Sequence, residues 1–322
     1  MMPMKAVLSA LSPPADRGRL SILIFHRVLP APDPLFPGEV DAQQFDQIVG
    51  WVCAWCNVLP LDEACVRLVA GTLPSRAVAI TFDDGYADNH DQALPILRRH
   101  GVSATFFVAT GFLDGGRMWN DTVIEAVRHC TLDQIDLRSI APFAAAERAV
   151  WPIRTPTERA LTIQAILGAI KYMQPAERLA VTESLASYLG VKPADDLMMT
   201  GDQVRLLRRQ GMQIGAHTCS HPILAGLKAE QAREEIAVSK SVLEGLLGER
   251  VDLFAYPNGR PGQDYSEESV AIVRELGFSA AVSTAAGAAR AGSDPFQLPR
   301  FTPWDRTKGR FGVRFARNLW QS

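Results

Sequence analysis

Carboxylate and imidazole side chains occur in this sequence at spacings that suit a metal site. The stretch Thr81–Tyr86 holds two adjacent carboxylates, Asp83 and Asp84, directly after an apolar run. Further along, His217 and His221 stand four residues apart after a second apolar run. Two nearby imidazoles and one carboxylate from another strand make an open three-ligand site, for which zinc is the natural first expectation. Such a site leaves one coordination position for water, as catalytic metal sites do.

Each motif also has a purely structural interpretation. Asp-Gly is an ordinary turn signal, so the first stretch alone fits a strand-to-loop turn about as well as an active site. An isolated His-x-x-x-His pattern more often marks two surface histidines at the start of a helix. The metal-site interpretation gains weight because both motifs follow strand-like runs of one alternating architecture.

The elements that must position these groups alternate between strand-like and helix-like segments. A helix is predicted from about Asp41, a second is closed by Gly101, a third carries a capping box at Thr200, and a fourth covers Ala229–Leu247. Such alternation requires a parallel sheet, and the length predicts an α/β fold, a distorted (β/α) barrel with its chemistry at the carboxyl ends of the strands. The strand-like runs are Leu20–Phe25, Ala77–Ile80, Ala104–Val108, Met212–Ala216, Val251–Ala255 and Phe278–Val282.

One long stretch interrupts the alternation. Between about residues 115 and 197 no convincing strand is apparent. Instead, Thr155 and Glu158 form a capping-box pattern, and a further helix is predicted from Pro175 towards Gly190. We therefore expect residues 1–322 to form a single barrel domain that carries a helical insertion at about 115–197.

Composition limits the classes of function. The 322 residues are 47% hydrophobic with a formal charge of -2, which suits a large globular core and disfavours nucleic acid as a partner. No apolar run is long enough to span a bilayer, and Met1–Leu20 is too weakly apolar to predict a signal peptide. The five cysteines are not spaced as a disulfide framework. A cytoplasmic location is the expectation from these features, and the sequence does not determine the oligomeric state.

Three motifs in order resemble those of the polysaccharide deacetylases, the family 4 carbohydrate esterases that include chitin, peptidoglycan and nodulation-factor deacetylases. They are Thr81–Tyr86, His217–His221 and Tyr256–Gly259. The similarity runs from Ser21 to about Pro303 apart from the insertion. The first two motifs together are specific, and the third is a weaker match.

The resemblance implies a role for each matching residue. Asp84, His217 and His221 look like the ligands of a divalent metal, most consistently Zn²⁺. Asp83 looks like the general base that deprotonates the attacking water. The backbone N–H of Asn258, in the third motif, would stabilise the oxyanion of the tetrahedral intermediate. Physical reasoning agrees, since a cation polarises the amide carbonyl while a free carboxylate takes up a proton.

The sequence departs from the family pattern at two places. Ala255 stands where many relatives carry an arginine, and Leu298–Phe301 stands where many carry a histidine general acid. Arg300 is our candidate for the missing cation, because a guanidinium forks well onto a carboxylate such as Asp83, although a surface ion pair is equally consistent. His26 is our candidate for the acid because it ends the first strand, although a histidine that only hydrogen-bonds within its loop is equally consistent.

The activity implied by the resemblance is removal of acetyl groups from N-acetylated amino sugars, with release of acetate. The expected partner is thus a carbohydrate substrate with N-acetyl groups. Two alternatives remain at this point. The same metal site would also suit another N-acyl or cyclic amide substrate, and a carbohydrate-binding module with a relic site is a different class. A complete ligand set with a retained base argues against the relic.

Overall fold

The architecture is taken from a computed structural model that describes residues 4–140, 142–143 and 149–321. The chain divides into two compact units. One unit comprises Met1–Ala31, Glu39–Asp114 and Met198–Ser322, and the other comprises Pro32–Gly38 and Gly115–Leu197. This division does not decide whether the chain is a single barrel domain with a helical insertion, and that expectation remains a prediction.

The strands follow the chain in this order: β1 Arg19–Phe25, β2 Asn57–Val58, β3 Ala77–Phe82, β4 Thr105–Val108, β5 Gln134–Asp136, β6 Val150–Pro152, β7 Gln213–Ala216, β8 Leu253–Ala255, β9 Ala280–Ala286, β10 Ala289–Arg290 and β11 Leu298–Arg300. The helices are α1 Met4–Leu11, α2 Ala42–Trp55, α3 Leu61–Val69, α4 Leu94–His100, α5 Trp119–His129, α6 Pro156–Ile170, α7 Pro175–Tyr188, α8 Gly201–Arg209, α9 Ala229–Leu247, α10 Glu267–Glu275 and α11 Lys308–Trp320.

The larger unit contains the barrel that the sequence predicts. Its strands pair in the order β10-β1-β3-β4-β7-β8-β9-β11, and β2 pairs with β3. All these pairings are parallel except that of β10 with β1. A parallel bridge between Leu23 and Phe301 brings the end of β11 back to β1 and closes the ring. The predicted fold class, a distorted barrel of parallel strands, is confirmed.

Side-chain alternation along the strands separates an inner from an outer layer. Leu20 and Ile22 of β1, with Ala77 and Ala79 of β3, belong to the inner apolar cluster. Leu23 and Phe25, with Val78 and Ile80, belong to the outer cluster that packs against surrounding helices. Because the period of a strand is two, Thr81 and Asp83 share the inner face with Ala77 and Ala79. The alternation therefore aims Asp83 into the barrel.

Helix α3 was not predicted from the sequence. Its buried residues Leu61, Ala64 and Leu68 join the inner cluster together with strand residues such as Leu20 and Leu298. The N–H of Leu61 donates to the side-chain oxygen of Gln213, the first residue of β7, at 2.8 Å. The helix thus packs at the end of the barrel where the strands begin, which leaves the opposite end for chemistry.

The smaller unit has its own core, built mainly from α5, α6 and α7. Its buried members recur at helical spacing, for example Val123 and Val127, or Ile163, Ile166 and Ile170. The predicted capping box of Thr155 and Glu158 is present at the start of α6. The expectation that this stretch lacks strands was wrong, because β5 and β6 form an antiparallel pair. Three residues per strand are too few to give a recognisable alternation.

Candidate active site

The two adjacent carboxylates are at the end of β3 and occupy different positions. The Asp83 N–H continues the strand ladder by donating to the Phe25 carbonyl at 2.9 Å. Asp84 then takes a left-handed conformation with φ 75°, and Gly85 follows with φ 91°. This turn directs the two neighbouring side chains to different groups. Positive φ is unfavourable for aspartate, and such strain is found mostly where function holds it in place.

His217 follows β7, and the strand before it is shaped by a close approach. A Cβ on Gly215 would lie 2.4 Å from the ring of Phe107 on β4, so only glycine fits at that position. The His217 Nδ1–H donates to the Ala255 carbonyl at 2.7 Å. In the neutral imidazole, a proton on Nδ1 leaves the lone pair on Nε2, and this nitrogen lies 3.4 Å from Asp84 Oδ1. The ring is therefore held in the tautomer that a metal ligand needs.

Three side chains converge at this point in a way that suits a cation. His221 Nε2 lies 3.3 Å from Asp84 Oδ1, and the ligand atoms of Asp84, His217 and His221 all lie within 4.8 Å of one another. Asp84 Oδ1 is buried and has no hydrogen-bond partner among the described residues. A buried carboxylate oxygen without a donor, facing two imidazole nitrogens, is the arrangement that a divalent metal satisfies. The residues present thus fit the metal that the sequence predicts.

The loop from His217 to His221 is stabilised by a residue that the sequence analysis missed. Glu235 of α9 accepts from the N–H groups of Cys219 at 3.0 Å and Ser220 at 2.8 Å, and from the Ser220 hydroxyl at 2.6 Å. The His221 N–H donates to Thr218 Oγ1 at 3.1 Å. Glu235 lies on a separate helix, and no local pattern in the sequence identifies it.

Arg300 lies directly on Asp83. Its two terminal nitrogens donate to Asp83 Oδ1 and Oδ2, each at 2.7 Å, in a bidentate pair. Its Nε donates to the Ser283 carbonyl at 2.7 Å, and a further contact reaches Thr81 Oγ1 at 3.3 Å. Both members of the pair are almost fully buried. Of the two interpretations left open by the sequence, the surface ion pair is thereby excluded.

The charges around these groups shift their protonation equilibria. Burial raises the pKa of Asp83, but the charge and hydrogen bonds of Arg300, together with the neighbouring imidazoles of His217 and His26, outweigh it and leave that pKa below its usual range. Burial likewise raises the pKa of Asp84, yet the imidazoles of His217 and His221 beside it outweigh that effect and hold its pKa well below the ordinary value. Burial lowers the pKa of His221 to about 4. At neutral pH the site thus holds two ionised carboxylates and a neutral His221, which suits the binding of a cation.

His26 stands at the same end of the barrel. It follows β1, is exposed, and is close enough to Asp83, Asp84 and His221 to influence the pKa of each. Its ring has no hydrogen-bond partner among the described residues.

The backbone around His26 is fixed by two residues that the sequence analysis missed. Asn89 is fully buried, and its side-chain N–H donates to the His26 carbonyl at 2.8 Å. Asp88 accepts from the Val28 N–H at 3.0 Å and from Arg27 Nε at 2.7 Å. Asn89 begins a π-helical turn, Asn89–Ala93, of the kind often found at functional sites.

Asn258 follows β8 and is strained in the same way as the residues of the other two motifs. Its φ is 58°, while Asp84, Thr218 and His221 have φ values of 75°, 63° and 53°. The Asn258 carbonyl accepts from Thr284 Oγ1 at 2.7 Å. Its own N–H donates to no acceptor within the described part of the chain. The catalytic role of this N–H remains a prediction.

Comparison with known proteins gives a family match. The family model described as polysaccharide deacetylase matches residues 70–133 and 175–281, which together are more than half of the chain. A curated Bacillus subtilis protein described as a polysaccharide deacetylase, YxkH, is 22% identical over 284 residues, which cover 88% of this chain and 70% of that protein.

Solved structures share the fold. The Streptococcus pyogenes deacetylase PplD, in complex with acetate, superposes with a TM-score of 0.60 at 19% identity, covering 94% of this chain and 98% of that one. IcaB from Ammonifex degensii gives a TM-score of 0.60 at 18% identity, covering 96% and 98% of the two chains.

In the described residues, no helix has both the length and the apolar character needed to cross a membrane.

Proposed function

This chain belongs to the polysaccharide deacetylase family, enzymes that act on the amide bond of N-acetyl groups, and we propose that it removes acetyl groups from N-acetylated amino sugars with release of acetate. The observation that carries the proposal is the group at the ends of β3, β7 and β11. It combines a metal-ligand triad with a separate buried carboxylate held by an arginine. A protein that only bound carbohydrate would need neither.

Asp84, His217 and His221 hold a divalent cation in this proposal, and zinc suits two imidazoles and one carboxylate best. When bound, such a cation supplies Lewis-acid activation of the acetyl carbonyl and of the attacking water. The Ala255 carbonyl keeps His217 in the correct tautomer, and Glu235 holds the backbone that carries His221. These contacts orient the ligands before any substrate arrives.

Asp83 acts as the general base. Its carboxylate is free of the triad and accepts the proton of the attacking water as the new C–O bond forms. Arg300 orients this carboxylate through both oxygens at 2.7 Å and keeps it ionised. Arg300 is thus a positioning residue, whereas Asp83 touches the reacting atoms.

His26 and the Asn258 N–H complete the reaction. His26, exposed at the mouth, donates a proton to the amine as the C–N bond breaks, so that acetate and a free amine leave. The Asn258 N–H, which has no acceptor within the described part of the chain, stabilises the negative charge that develops on the acetyl oxygen. The acetate complex named for the Streptococcus pyogenes relative agrees with acetate as the product.

The test joins metal analysis to acetate release. Purified protein is analysed for bound transition metals. It is then incubated with N-acetylglucosamine, with its oligomers and with N-acetylated sugar precursors. We expect the wild type to bind about one equivalent of metal and to release acetate. Asp84→Ala should lose both the metal and the release of acetate. Absence of metal together with absence of acetate from every substrate would refute the proposal, and release of a different acyl product would favour another N-acyl substrate.

The assignment of His26 needs its own comparison. We expect His26→Ala and Asp83→Asn to reduce turnover by about 10²-fold or more each. If His26→Ala kept most of the wild-type turnover while Asp83→Asn lost it, His26 would not be the acid.

A further inference from the structure

An exposed tryptophan leaves the barrel at the same end as His26. Leu23 of β1 and Phe301 pair in parallel, with the Ile24 N–H donating to the Phe301 carbonyl at 3.1 Å and the Phe301 N–H to the Ile22 carbonyl at 2.8 Å. Three residues further along each segment stand His26 and Trp304. Because the two segments run in the same direction, both residues emerge at the carboxyl end of the barrel. Trp304 therefore lies at the end of the barrel that also contains Asp83.

The Trp304 ring is supported on one side and open elsewhere. The Arg314 guanidinium lies over the ring, 4.8 Å from its centroid. Arg314 is itself held by Asp305 at 2.6 Å and by the Thr302 carbonyl at 3.1 Å. Asp305 is in turn fixed by Gln44 of α2, whose side-chain N–H donates to the Asp305 carbonyl. Despite this support, 61% of Trp304 remains exposed.

A large aromatic ring held in place but left in water contributes little to a core, because its apolar surface stays hydrated. A ring fixed from behind by a cation has lost its side-chain freedom before a ligand binds, so stacking on it costs less entropy. The C–H groups on one face of a pyranose ring form a flat apolar surface that suits such a ring. The neighbouring oxygen atoms of the sugar stay in solvent.

We propose that Trp304, backed by Arg314, is a sugar-stacking subsite that binds a pyranose unit next to the one being deacetylated. This inference rests on the proposed function because it assigns the substrate to oligomeric or polymeric sugars. It predicts that affinity rises with chain length, and that the rise depends on the Trp304 ring. A monomer fills only the catalytic position and does not reach this ring.

The chain contains a matched control. Trp320 is also exposed, at 73%, and belongs to α11, whose first turn follows Trp304. At the other end of this helix, the Leu319 carbonyl accepts from Arg19, the first residue of β1. A helix of this length spans about 20 Å, so Trp320 lies near the start of β1, at the opposite end of the barrel. Trp320→Ala removes a comparable exposed ring from a place that the sugar does not reach.

The experiment measures binding without turnover. The glucosamine tetramer carries no acetyl group and so is not hydrolysed. Its dissociation constant is determined by calorimetry for wild type, Trp304→Ala, Trp304→Phe and Trp320→Ala. We expect Trp304→Ala to weaken binding by about tenfold, Trp304→Phe by about threefold or less, and Trp320→Ala to leave binding unchanged. Thermal unfolding of each variant checks that the fold is kept.

Two outcomes would overturn the subsite. One is equal binding by Trp304→Ala and wild type, and the other is no binding of the tetramer by wild type at millimolar concentration. Acetate release from the N-acetylated monomer and tetramer is measured separately. If the wild type releases acetate and Trp304→Ala has the same KM for the N-acetylated tetramer as the wild type, the subsite is rejected and the proposed function is kept. If the wild type binds the glucosamine tetramer but releases acetate from no substrate, the proposed function is rejected and the subsite is kept.

Discussion

Asp83 and Asp84 are neighbours in sequence but have different partners. Asp83 is paired through both oxygens with Arg300, whereas Asp84 has one buried oxygen that faces two imidazoles and accepts no hydrogen bond among the described residues. The first environment pairs the carboxylate with a fixed guanidinium, whereas the second leaves one oxygen facing two imidazole nitrogens and open to a cation. This difference allows one residue to accept a proton while the other binds a cation.

The division of roles can be tested with two substitutions. We expect Asp83→Asn to reduce acetate release by about 10²- to 10⁴-fold while the bound metal is retained, because a base is lost and no ligand is. Asp84→Ala should lose both activity and metal. Turnover and metal content by atomic emission are measured on the same samples. Loss of metal in Asp83→Asn, or its full retention in Asp84→Ala, would contradict the assignment.

Arg300 is expected to matter for stability as well as for activity. Arg300→Ala leaves the Asp83 carboxylate buried without its counter-ion, which should lower the free energy of unfolding by about 3 to 5 kcal/mol. Urea unfolding of the variant measures this loss. Arg310→Ala, which removes an exposed arginine from α11, should change stability by less than about 0.5 kcal/mol. In Arg300→Ala combined with Asp83→Asn, the loss should be smaller because the uncompensated charge is gone.

At the scale of elements, the metal-binding loop depends on a helix distant from it in sequence. Glu235 of α9 accepts three hydrogen bonds from the segment between His217 and His221. Thr218 and His221 hold positive φ values in that segment. Backbone in such conformations persists only when its surroundings stabilise it. Helix α9 therefore sets the position of the second imidazole ligand.

We expect Glu235→Ala to weaken metal affinity by about 10- to 100-fold, because the loop loses its acceptors while the ligands remain. Competition with a coloured chelator measures the dissociation constant. Glu234→Ala removes an exposed carboxylate from the same helix and serves as the control. Equal weakening in both variants would point to a general charge effect instead of loop support.

The π-helical turn after β3 has a similar relation to His26. Asn89 hydrogen-bonds the His26 carbonyl, and Asp88 hydrogen-bonds the Val28 N–H. If Asn89 acts by positioning His26, Asn89→Ala should lower kcat by about tenfold in the wild-type background and have little effect in His26→Ala. Turnover of the two single variants and the double variant measures this coupling. Independent, additive losses would show that Asn89 acts on stability alone.

At the scale of the whole molecule, the proposed cation would link distant parts of the chain. Asp84 follows β3, and both histidines follow β7, with β4 between the two strands. A ligand that binds only the folded state stabilises it by mass action, by about 2.7 kcal/mol at a hundred times its dissociation constant. A cation at this site should therefore raise the unfolding temperature.

We expect a chelator to lower Tm by about 5 °C, and zinc in excess of the chelator to restore it. Differential scanning fluorimetry measures both changes. Asp84→Ala should show the lower Tm and no response to either addition. A Tm that responds to zinc equally in Asp84→Ala would place the stabilising metal elsewhere.

The sequence by itself determined the alternating architecture and the residues that end its strands. Asp83, Asp84 and His217 directly follow apolar runs, and the parallel arrangement of those runs is enough to bring them to one edge. Several helix limits were also predictable from the sequence. Thr200 caps α8, and Gly101 and Gly248 end α4 and α9 in the left-handed conformation. These signals are local, since each depends on residues within one or two turns.

Only the tertiary structure decided which residues support the site. The pairing of Arg300 with Asp83 required β11 to close the barrel against β1, and the sequence left a surface ion pair equally open. Glu235, Asp88 and Asn89 carry no motif of their own, because each acts through hydrogen bonds to backbone groups of another segment. Such bonds depend on how the elements pack, and side-chain periodicity does not encode them. Local patterns thus identify the reacting groups, whereas packing determines the contacts that hold them.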